Sequence, residues 1–335
     1  MKQVWRILVA LLAIAALAAG GTVAYGQRGG GKAQGQAKRA AARTFTFDPA
    51  PKANPEGIVF DRRLQRFFVS DTGDGKIYSG TLADKTMTPS ITGPGEGHAA
   101  VGLEVRRNKL YVAGGPSGEI RVYDLRTKQQ VATFDTGAGG FLNDLAVTSS
   151  GDVFVTDSFR PTLWHVTPAQ VRAGSGTPQA LDVSGDIPFD TTAGVFNLNG
   201  IVARTGHSLV VVDSNTGRLF RIDLNRRRNA IRRIDRIAGA TVPTGDGMIL
   251  DAGRLVVVQG GNADKNVPTQ IAFVKLIRGA RRAQVQSTRR SRRLVGPSTI
   301  ARARNLYLVV NANFSAPTVA PNAVALPRNR GARGR

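Results

Sequence analysis

Four short motifs place an oxygen-bearing side chain directly before a run of apolar residues. They are Glu56-Gly57, Asn143-Asp144, Asn199-Gly200 and Asp246-Gly247. The first residues of these motifs are two carboxylates and two amides, which offer only hard oxygen donors. Calcium and similar divalent cations prefer such donors, whereas zinc and copper favour nitrogen or sulfur. If the fold gathers the four side chains, the chemistry they indicate is binding of a divalent cation such as Ca²⁺.

The motifs begin repeats of a common pattern, in which a short strand, a polar turn and a second strand of alternating large apolar residues follow one another. The aligned segments are PEGIVFDRRLQRFFVSD, AVGLEVRRNKLYVAG, LNDLAVTSSGDVFVTDS, LNGIVARTGHSLVVVDS, GDGMILDAGRLVVVQG and GPSTIARARNLYLVVN. Their anchor residues, 42 to 56 residues apart, are Gly57, Gly102, Asp144, Gly200, Gly247 and Ser298. A third strand follows in at least four of the repeats. This period is typical of four-stranded propeller blades.

The sequence therefore predicts an all-β six-bladed β-propeller of four-stranded antiparallel blades over residues 44–327. The spare alternating segment TFTFD, Thr44 to Asp48, is expected to pair into the last blade and close the ring. Residues at one repeat position then surround the central channel. The position before each anchor would be held by Glu56, Val101, Asn143, Asn199, Asp246 and Pro297. The alternative to a metal site is a water-filled channel that tolerates polar side chains.

The segments on either side of residues 44–327 indicate export. Residues 1–26 combine Lys2 and Arg6 with an apolar stretch and a small-residue cleavage site, which is typical of a secretory signal peptide. Residues 27–43 are predicted to be a basic low-complexity linker and residues 328–335 a basic C-terminal tail. The apolar stretch is shorter than the roughly twenty residues of a membrane span, so the mature form is expected to be secreted or extracytoplasmic, without a transmembrane span. The chain has no cysteine, which excludes disulfides and thiol catalysis.

The formal net charge of +23 is concentrated in the terminal segments and in two arginine clusters, Arg226 to Arg236 and Arg278 to Arg293. No aromatic side chain interleaves with these arginines, as stacking on nucleic-acid bases would require. Specific nucleic-acid binding is therefore not expected. Weak contact with anionic polymers or lipids of the cell envelope is the partner interaction that the clusters indicate.

The ordered set Glu-Gly, Asn-Asp, Asn-Gly and Asp-Gly resembles the gluconolactonase and regucalcin (senescence marker protein) family of six-bladed propellers, and more distantly paraoxonase and strictosidine synthase. The resemblance implies that Glu56, Asn199 and Asp246 bind a catalytic divalent metal, and that Asn143 contacts metal or substrate. It also implies hydrolysis of a lactone or related ester, with the metal as Lewis acid and Asp246 relaying a proton.

Two positions depart from the family pattern. Sugar-lactone members are expected to carry an arginine where this chain has Phe141, and paraoxonase-like members a histidine where it has Val101. The substrate is then expected to be a more apolar lactone or ester. Two functions remain open: a secreted calcium-dependent lactonase-like hydrolase, and a non-catalytic extracytoplasmic propeller that binds a ligand or partner around a structural calcium.

The repeat pattern predicts roles for two further groups of residues. Segment 168–197 is expected to supply an outer strand and then a loop over the channel mouth, where Asp186, Phe189, Asp190 and Phe196 could line a pocket. A second group of aspartates follows second strands and precedes tight turns, where aspartate caps backbone amides. These are Asp71, Asp157 and Asp213.

Overall fold

The computed structural model describes residues 43–204, 207–225, 230–262, 266–314 and 319–328. Within these ranges the fold is all-β, with one short helix, α1 (Pro168–Ala173). The predicted signal peptide and linker lie outside the described residues, apart from Arg43. The first twelve strands are β1 (Arg43–Phe47), β2 (Pro55–Asp61), β3 (Arg66–Asp71), β4 (Ile77–Thr81), β5 (Thr86–Ile91), β6 (Leu103–Arg106), β7 (Lys109–Ala113), β8 (Glu119–Asp124), β9 (Gln130–Asp135), β10 (Leu142–Val147), β11 (Val153–Asp157) and β12 (Thr162–Val166). The remaining strands are β13 (Gln179–Asp182), β14 (Leu198–Arg204), β15 (Ser208–Asp213), β16 (Arg218–Leu224), β17 (Ile231–Thr241), β18 (Gly245–Asp251), β19 (Arg254–Gln259), β20 (Gln270–Ile277), β21 (Arg282–Arg289), β22 (Pro297–Ala303), β23 (Leu306–Asn311) and β24 (Asn322–Pro327).

The strands fall into six consecutive antiparallel units. Units 1 to 5 are β2–β5, β6–β9, β10–β13, β14–β17 and β18–β21, and unit 6 consists of β22–β24 with β1. Each aligned sequence repeat corresponds to the first two strands of one unit, which pair antiparallel in all six. Parallel pairing of β1 with β5 and of β17 with β21 joins neighbouring units, so that the sheets contain either four or eight strands.

Strand β1 is paired along both edges. Thr44 lies opposite Val324 of β24 in antiparallel register, and Thr46 lies opposite Thr86 of β5 in parallel register. The alternation of the sequence explains its placement, because Phe45 is fully buried and packs edge-on against Phe67. The N-terminal strand thus contacts both unit 6 and unit 1.

The hydrophobic core consists of six buried clusters, each between two consecutive units. The cluster between units 6 and 1, for example, joins Phe67 and Tyr78 to Leu308 and Val310. The other five clusters follow the chain from units 1 and 2 to units 5 and 6. The strands alternate between the two neighbouring clusters because successive side chains of a strand point to opposite faces. Both faces of each unit are therefore covered by its neighbours.

The first strands of the units lie innermost and contact one another in sequence. Strand β2 contacts β6 and β22, β10 contacts β6 and β14, and β18 contacts β14 and β22. Residues at the beginning of these six strands consequently face a common region, which positions the candidate site.

Helix α1 was not expected from the sequence, which shows no helical periodicity over segment 168–197. A capping box begins it: Thr167 Oγ1 accepts from the Gln170 amide, and the Gln170 side chain accepts from the Thr167 amide. The outer strand expected in this segment is β13, which pairs with β12. In the part of the chain that the structure describes, no helix is long and apolar enough to cross a membrane.

Candidate functional site

The four predicted ligands occupy equivalent positions in β-bulges. In β2, Pro55 pairs with Asp71 and Ile58 with Val69, so Glu56 and Gly57 together oppose Ser70. Strands β10, β14 and β18 show the same irregularity at Asn143, Asn199 and Asp246. A bulge re-aims a side chain that a regular strand would point into a sheet face. The bulges thus give the four polar side chains a common orientation relative to their units.

Unit 6 shows that the sequence alignment needs a shift of one residue there. Pro297 pairs with Asn311 and Ile300 with Val309, so the bulge contains Ser298 and Thr299. Ser298, and not Pro297, therefore matches Glu56. Ser298 donates to the Glu56 carbonyl oxygen at 2.7 Å, and Thr299 Oγ1 lies 3.3 Å from Glu56 Oε1.

Three of the four side chains contain a buried oxygen without a hydrogen-bond partner among the described residues. The atoms are Glu56 Oε2, Asn199 Oδ1 and Asp246 Oδ1. Leaving a buried oxygen unpaired costs about 1–3 kcal/mol, and more for a charged group. Three such atoms at equivalent positions in units 1, 4 and 5 fit the ligand set predicted for a divalent cation.

Asn143 is oriented by a neighbouring hydroxyl. Its Nδ2 donates to Ser158 Oγ at 2.9 Å, and Ser158 Oγ donates to the Leu198 carbonyl at 2.5 Å. Because the amide nitrogen is held in this way, Oδ1 is the end of the Asn143 side chain that remains to accept a donor or a cation. The serine also connects unit 3 to unit 4.

The carboxylates of the site repel one another in a poorly solvated environment. Burial, with Asp246 and Asp144 as nearby negative charges, raises the pKa of Glu56 well above its usual value. Burial also raises the pKa of Asp246 to about 7, opposed by a hydrogen bond from Asn199 and reinforced by the charge of Asp144. A group of acids whose ionisation is resisted by burial and by like charge must bind protons or a cation.

Asp144 and Glu104 belong to the same electrostatic group but were not assigned to the site from the sequence. Burial raises the pKa of Asp144 to about 7, while backbone amides of Leu145 and Ile201 lower it. Burial, together with Asp144, raises the pKa of Glu104 to about 8, and Arg106 opposes that shift. Asp144 stands where four other units have glycine, which was the available signal. No sequence signal marked Glu104 as part of the site, because a carboxylate in a four-residue strand is common on protein surfaces.

Glycines after the ligand positions permit the first strands to approach closely. A Cβ on Gly57 would lie 2.2 Å from the Val101 carbonyl oxygen, and one on Gly200 would lie 2.3 Å from the Asp246 carbonyl oxygen. Gly102 and Gly247 are similarly close to Asn143 and Thr299 of the next unit. The repeated glycine anchors are therefore explained by strand contact around the site.

The predicted pocket residues of segment 168–197 separate into different environments. Phe196 contacts Phe141, with ring centroids 5.0 Å apart. Phe189 instead packs against the buried cluster between units 3 and 4, while Asp186 and Asp190 are exposed. Only Phe196 of these four is thus tied to a residue beside the predicted ligands.

The turn aspartates cap backbone amides, as predicted. Asp71 accepts from the amides of Lys52, Ala53 and Gly73. Asp213 accepts from the Asn215 amide and the Thr216 hydroxyl. Asp157 accepts from three backbone amides and two side chains. These residues are structural, which separates them from the bulge residues.

Among the described residues, no three His, Asp or Glu side chains form a group that could hold a metal ion by themselves. The predicted ligand set contains two carboxylates, with amide oxygens completing it. Metal binding by the four side chains stays a prediction, which the unpaired oxygens of Glu56, Asn199 and Asp246 support.

Neither a protein-family model nor a curated protein sequence matches the chain. Solved structures do. A regucalcin from Agrobacterium tumefaciens, described as a calcium-binding protein, superposes with a TM-score of 0.60 at 16% identity, covering 85% of this chain and 95% of that one. A gluconolactonase from Xanthomonas campestris gives 0.58 at 14% identity, with 83% and 86% covered. A luciferin-regenerating enzyme gives 0.58 at 13% identity, with 84% and 93% covered. At these identities the comparison establishes the fold: the chain has the propeller-like fold of the regucalcin and gluconolactonase structures.

Proposed function

We propose that the six units are the blades of a single six-bladed propeller closed by β1. The support comes from the core, because one of the six apolar clusters lies between unit 6 and unit 1. The pairing of β1 with β24 then supplies the fourth strand of the last blade. In such a ring the beginnings of the first strands converge on the central channel, as the site requires.

The channel is proposed to bind one divalent cation, with calcium as the first candidate. Glu56, Asn143, Asn199 and Asp246 would be its ligands. The observation that carries this proposal is the coincidence of three unpaired buried oxygens with three of the four predicted ligand positions. Asp144 adds negative charge nearby while its own oxygens accept from backbone amides, so it would favour the cation without being a ligand.

The proposed activity is hydrolysis of a lactone or ester by a secreted, calcium-dependent, lactonase-like enzyme. A cation bound in the channel would supply Lewis-acid polarisation of the substrate carbonyl. Asp246 would relay the proton, because burial and the charge of Asp144 raise the pKa of its carboxyl to about 7, close to neutral pH. Asn143, held by Ser158, would orient the substrate or complete the ligand set. The gluconolactonase name among the structural neighbours supports the reaction class, and the N-terminal sequence supports secretion.

The test is a hydrolysis panel on the mature chain. Aryl esters, apolar lactones and aldonolactones would be assayed with excess calcium and with chelator, alongside Asp246→Asn and the exposed control Asp186→Asn. We expect turnover by the native chain and by the Asp186→Asn control, and we expect chelator to abolish it. Asp246→Asn should lower the rate of turnover by at least a hundredfold. Turnover that persists in chelator, or that Asp246→Asn retains, would contradict the proposal.

A second candidate is a non-catalytic propeller in which calcium fastens the ring. Hydroxyl bridges between neighbouring units favour it: Ser70 donates to the Val101 carbonyl at 2.7 Å, Thr156 to the Asn199 carbonyl at 2.7 Å, and Ser214 to the Gly245 carbonyl. A cation among the same strand ends would add to these bridges. Calcium binding with a large gain in stability and no turnover of any substrate in the panel would select this function.

A further inference from the structure

Three half-buried phenylalanines form an aromatic wall beside the candidate site. Phe141, Phe159 and Phe196 lie with ring centroids 5.0 to 5.4 Å apart, in edge-on and tilted arrangements. Each comes from a different connection: before β10, after β11 and before β14. None of the three belongs to the six buried clusters between units. Their apolar surface is thus not used by the core of the fold.

The wall is tied to the predicted ligands through Ser158. The Ser158 amide donates to the Phe141 carbonyl at 2.8 Å, while its hydroxyl accepts from Asn143. The Ser158 carbonyl accepts from the amide of Asn197, the residue after Phe196, at 3.2 Å. The same residue therefore holds two of the phenylalanines and one candidate ligand in fixed relation.

Asp157 also fixes the backbone of the wall. Its Oδ1 accepts from the amides of Phe141 and Phe159 at 2.9 and 3.1 Å. The neighbouring cation Arg160 is engaged by Asp157 and by the Thr136 carbonyl, and it stacks on Trp164. Arg160 is therefore already engaged by Asp157, Thr136 and Trp164, and the three side chains of the wall are all apolar.

The wall continues towards the apolar ring position of unit 2. A Cβ on Gly115 would lie 2.9 Å from Val101 Cγ2 and 3.7 Å from the Phe141 ring. Val101 is the unit 2 residue that matches Glu56. Apolar side chains of units 2 and 3 therefore lie beside the site, in addition to the polar groups that these units contribute through Glu104, Asn143 and Asp144.

We propose that the aromatic wall binds an aryl or alkyl group of the substrate. This inference rests on the proposed hydrolase function and specifies its substrate class: a lactone or ester with an apolar substituent next to the reacting carbonyl. A pre-ordered, partly exposed aromatic surface gains free energy by covering such a group and offers little to a polyhydroxylated ring.

Binding is measured separately from turnover with non-hydrolysable probes. γ-Phenyl-γ-butyrolactam and unsubstituted γ-butyrolactam would be titrated into the calcium-loaded chain by ligand-observed NMR. We expect the phenyl probe to bind at least tenfold more tightly. Phe159→Ala and Phe196→Ala should each weaken the phenyl probe by about tenfold and leave the unsubstituted lactam unchanged, whereas the leucine variants recover part of the affinity. Phe47→Leu, which alters a half-buried aromatic in β1, is the matched control.

The two proposals fail differently. Phenyl-lactam binding that the wall variants lose, without turnover of any ester, would sustain the wall and remove the hydrolase. Hydrolysis of aryl-substituted esters or lactones that is unchanged in all wall variants would sustain the hydrolase and overturn the wall. Equal binding of both lactams by the native chain would also overturn it, as would wall variants that fold by circular dichroism and bind the phenyl probe normally.

A second inference comes from the parallel pairing of β17 with β21. Ala238 lies opposite Arg282, and its amide donates to the Arg281 carbonyl at 3.2 Å. This contact brings together two arginine groups that are far apart in the sequence. The exposed residues of this basic face are Arg232, Arg233, Arg236, Arg278, Arg281 and Arg282. Residues 226–229, which belong to the first predicted cluster, lie outside the described part of the chain.

Little acidic charge balances the basic face. Arg233 pairs with Asp235 at 2.7 Å, and no ion pair is formed by the other five arginines within the described residues. The sequence contains no Asp or Glu after Asp264. Segments 231–241 and 278–293 also contain no aromatic residue that could stack on a base or anchor at a lipid interface.

We infer that the basic face binds an extended anionic polysaccharide, because it offers clustered positive charge without aromatic side chains. Retention on immobilised dextran sulfate would be measured against sodium chloride concentration. The triple variant Arg236→Glu, Arg281→Glu, Arg282→Glu should bind at least tenfold more weakly at 0.1 M salt. The control with the same charge change is Arg62→Glu, Lys85→Glu, Arg126→Glu on units 1 and 2, and it should lose less. Equal losses would overturn the face, and stronger binding to anionic vesicles or duplex DNA at the same salt would overturn the choice of polysaccharide.

Discussion

Two regions of this molecule contain buried oxygen-bearing side chains. In one region these oxygens accept several hydrogen bonds, and in the other some of them accept none. At the turns after the second strands, Asp157 is fully buried and accepts from three amides, a guanidinium and an indole. At the bulges of the first strands, Glu56, Asn199 and Asp246 each keep a buried oxygen without a partner in the described structure. The turn residues satisfy backbone amides of the fold, whereas these bulge oxygens lack partners among the described residues, and we propose that they bind a cation. The difference teaches that buried oxygens of one fold can differ in hydrogen bonding, and that unpaired oxygens recurring at one repeat position mark a candidate binding site.

The largest expected effect is a loss of stability when a turn aspartate is removed. Asp157→Ala leaves amides and the Arg160 guanidinium without their acceptor, so we expect the free energy of unfolding to fall by about 3–5 kcal/mol. Asp246→Asn, measured in chelator, should not lower it, because the variant removes a carboxylate that burial disfavours. Urea unfolding of both variants, with the exposed Asp186→Ala as control, makes the measurement. A loss of stability in Asp246→Asn as large as that in Asp157→Ala would erase the distinction between the regions.

Calcium should raise the free energy of unfolding of the chain, and this gain should depend on the bulge side chains. A ligand that binds only the folded chain adds about 2.7 kcal/mol at a hundred times its dissociation constant. We expect that gain in the native chain and in Asp186→Ala, and its absence in Glu56→Gln and Asp246→Asn. Thermal unfolding at a series of calcium concentrations would show it. A calcium-dependent gain that both ring variants keep would place the cation elsewhere.

The close approach of the strands can be tested at a glycine beside a ligand. Gly57→Ala introduces a Cβ 2.2 Å from the Val101 carbonyl oxygen, so the first strands of units 1 and 2 must move apart. We expect a loss of about 1–3 kcal/mol in stability and weaker calcium binding. Gly185→Ala, whose Cβ would meet no atom within 4 Å, is the matched control. Unchanged calcium binding in a destabilised Gly57→Ala would uncouple the strand spacing from the site.

The effect of pH is gradual, and its size per pH unit is the smallest of these changes. Burial, with the charge of Asp144, raises the pKa of Glu104 to about 8 from its ordinary value of 4.5. Between these values the folded chain holds a proton that the unfolded chain has lost, so the stability of the calcium-free protein should fall as pH rises from about 4.5 to 8. Each such group contributes at most about 1.4 kcal/mol per pH unit. Glu104→Gln should reduce the slope by that amount, as followed by urea unfolding at several pH values. An unchanged slope would mean that Glu104 ionises as it would in water.

Much of the fold followed from the sequence, because the repeats carry local strand and turn signals and the glycine anchors mark strand contact. The pairing of TFTFD with β24 was expected, since the segment alternates as a strand does and is spare at the front of the first repeat. The parallel pairings of β1 with β5 and of β17 with β21 had no local signal, because they depend on how neighbouring units meet. Helix α1 was missed because six residues are too few to show helical periodicity. Its only local signal was the N-terminal capping sequence of Thr167, Pro168 and Gln170.

The candidate site was predictable as a set of positions but not as an environment. Counting residues from the anchors found Glu56, Asn143, Asn199 and Asp246, since one repeat position recurs in each unit. The same counting placed Pro297 in the ring where the bulge instead holds Ser298, because unit 6 has Thr299 and not the glycine that marks this position in four other repeats. Glu104 entered the electrostatic group only through three-dimensional proximity to Asp144. The aromatic wall likewise required the fold, as Phe141, Phe159 and Phe196 come from three separate connections.

The central claim is that the four bulge side chains bind a divalent cation, and the most direct test is calorimetric titration of calcium into the chelator-treated mature chain and into Asp246→Asn. The account predicts saturable binding at one site per native chain and no measurable binding by Asp246→Asn, with the variant still folded by circular dichroism. No binding by the native chain would contradict it and leave the four oxygens as the lining of a water-filled channel. Equal binding by both proteins would also contradict it, because the cation would then lie outside the ring.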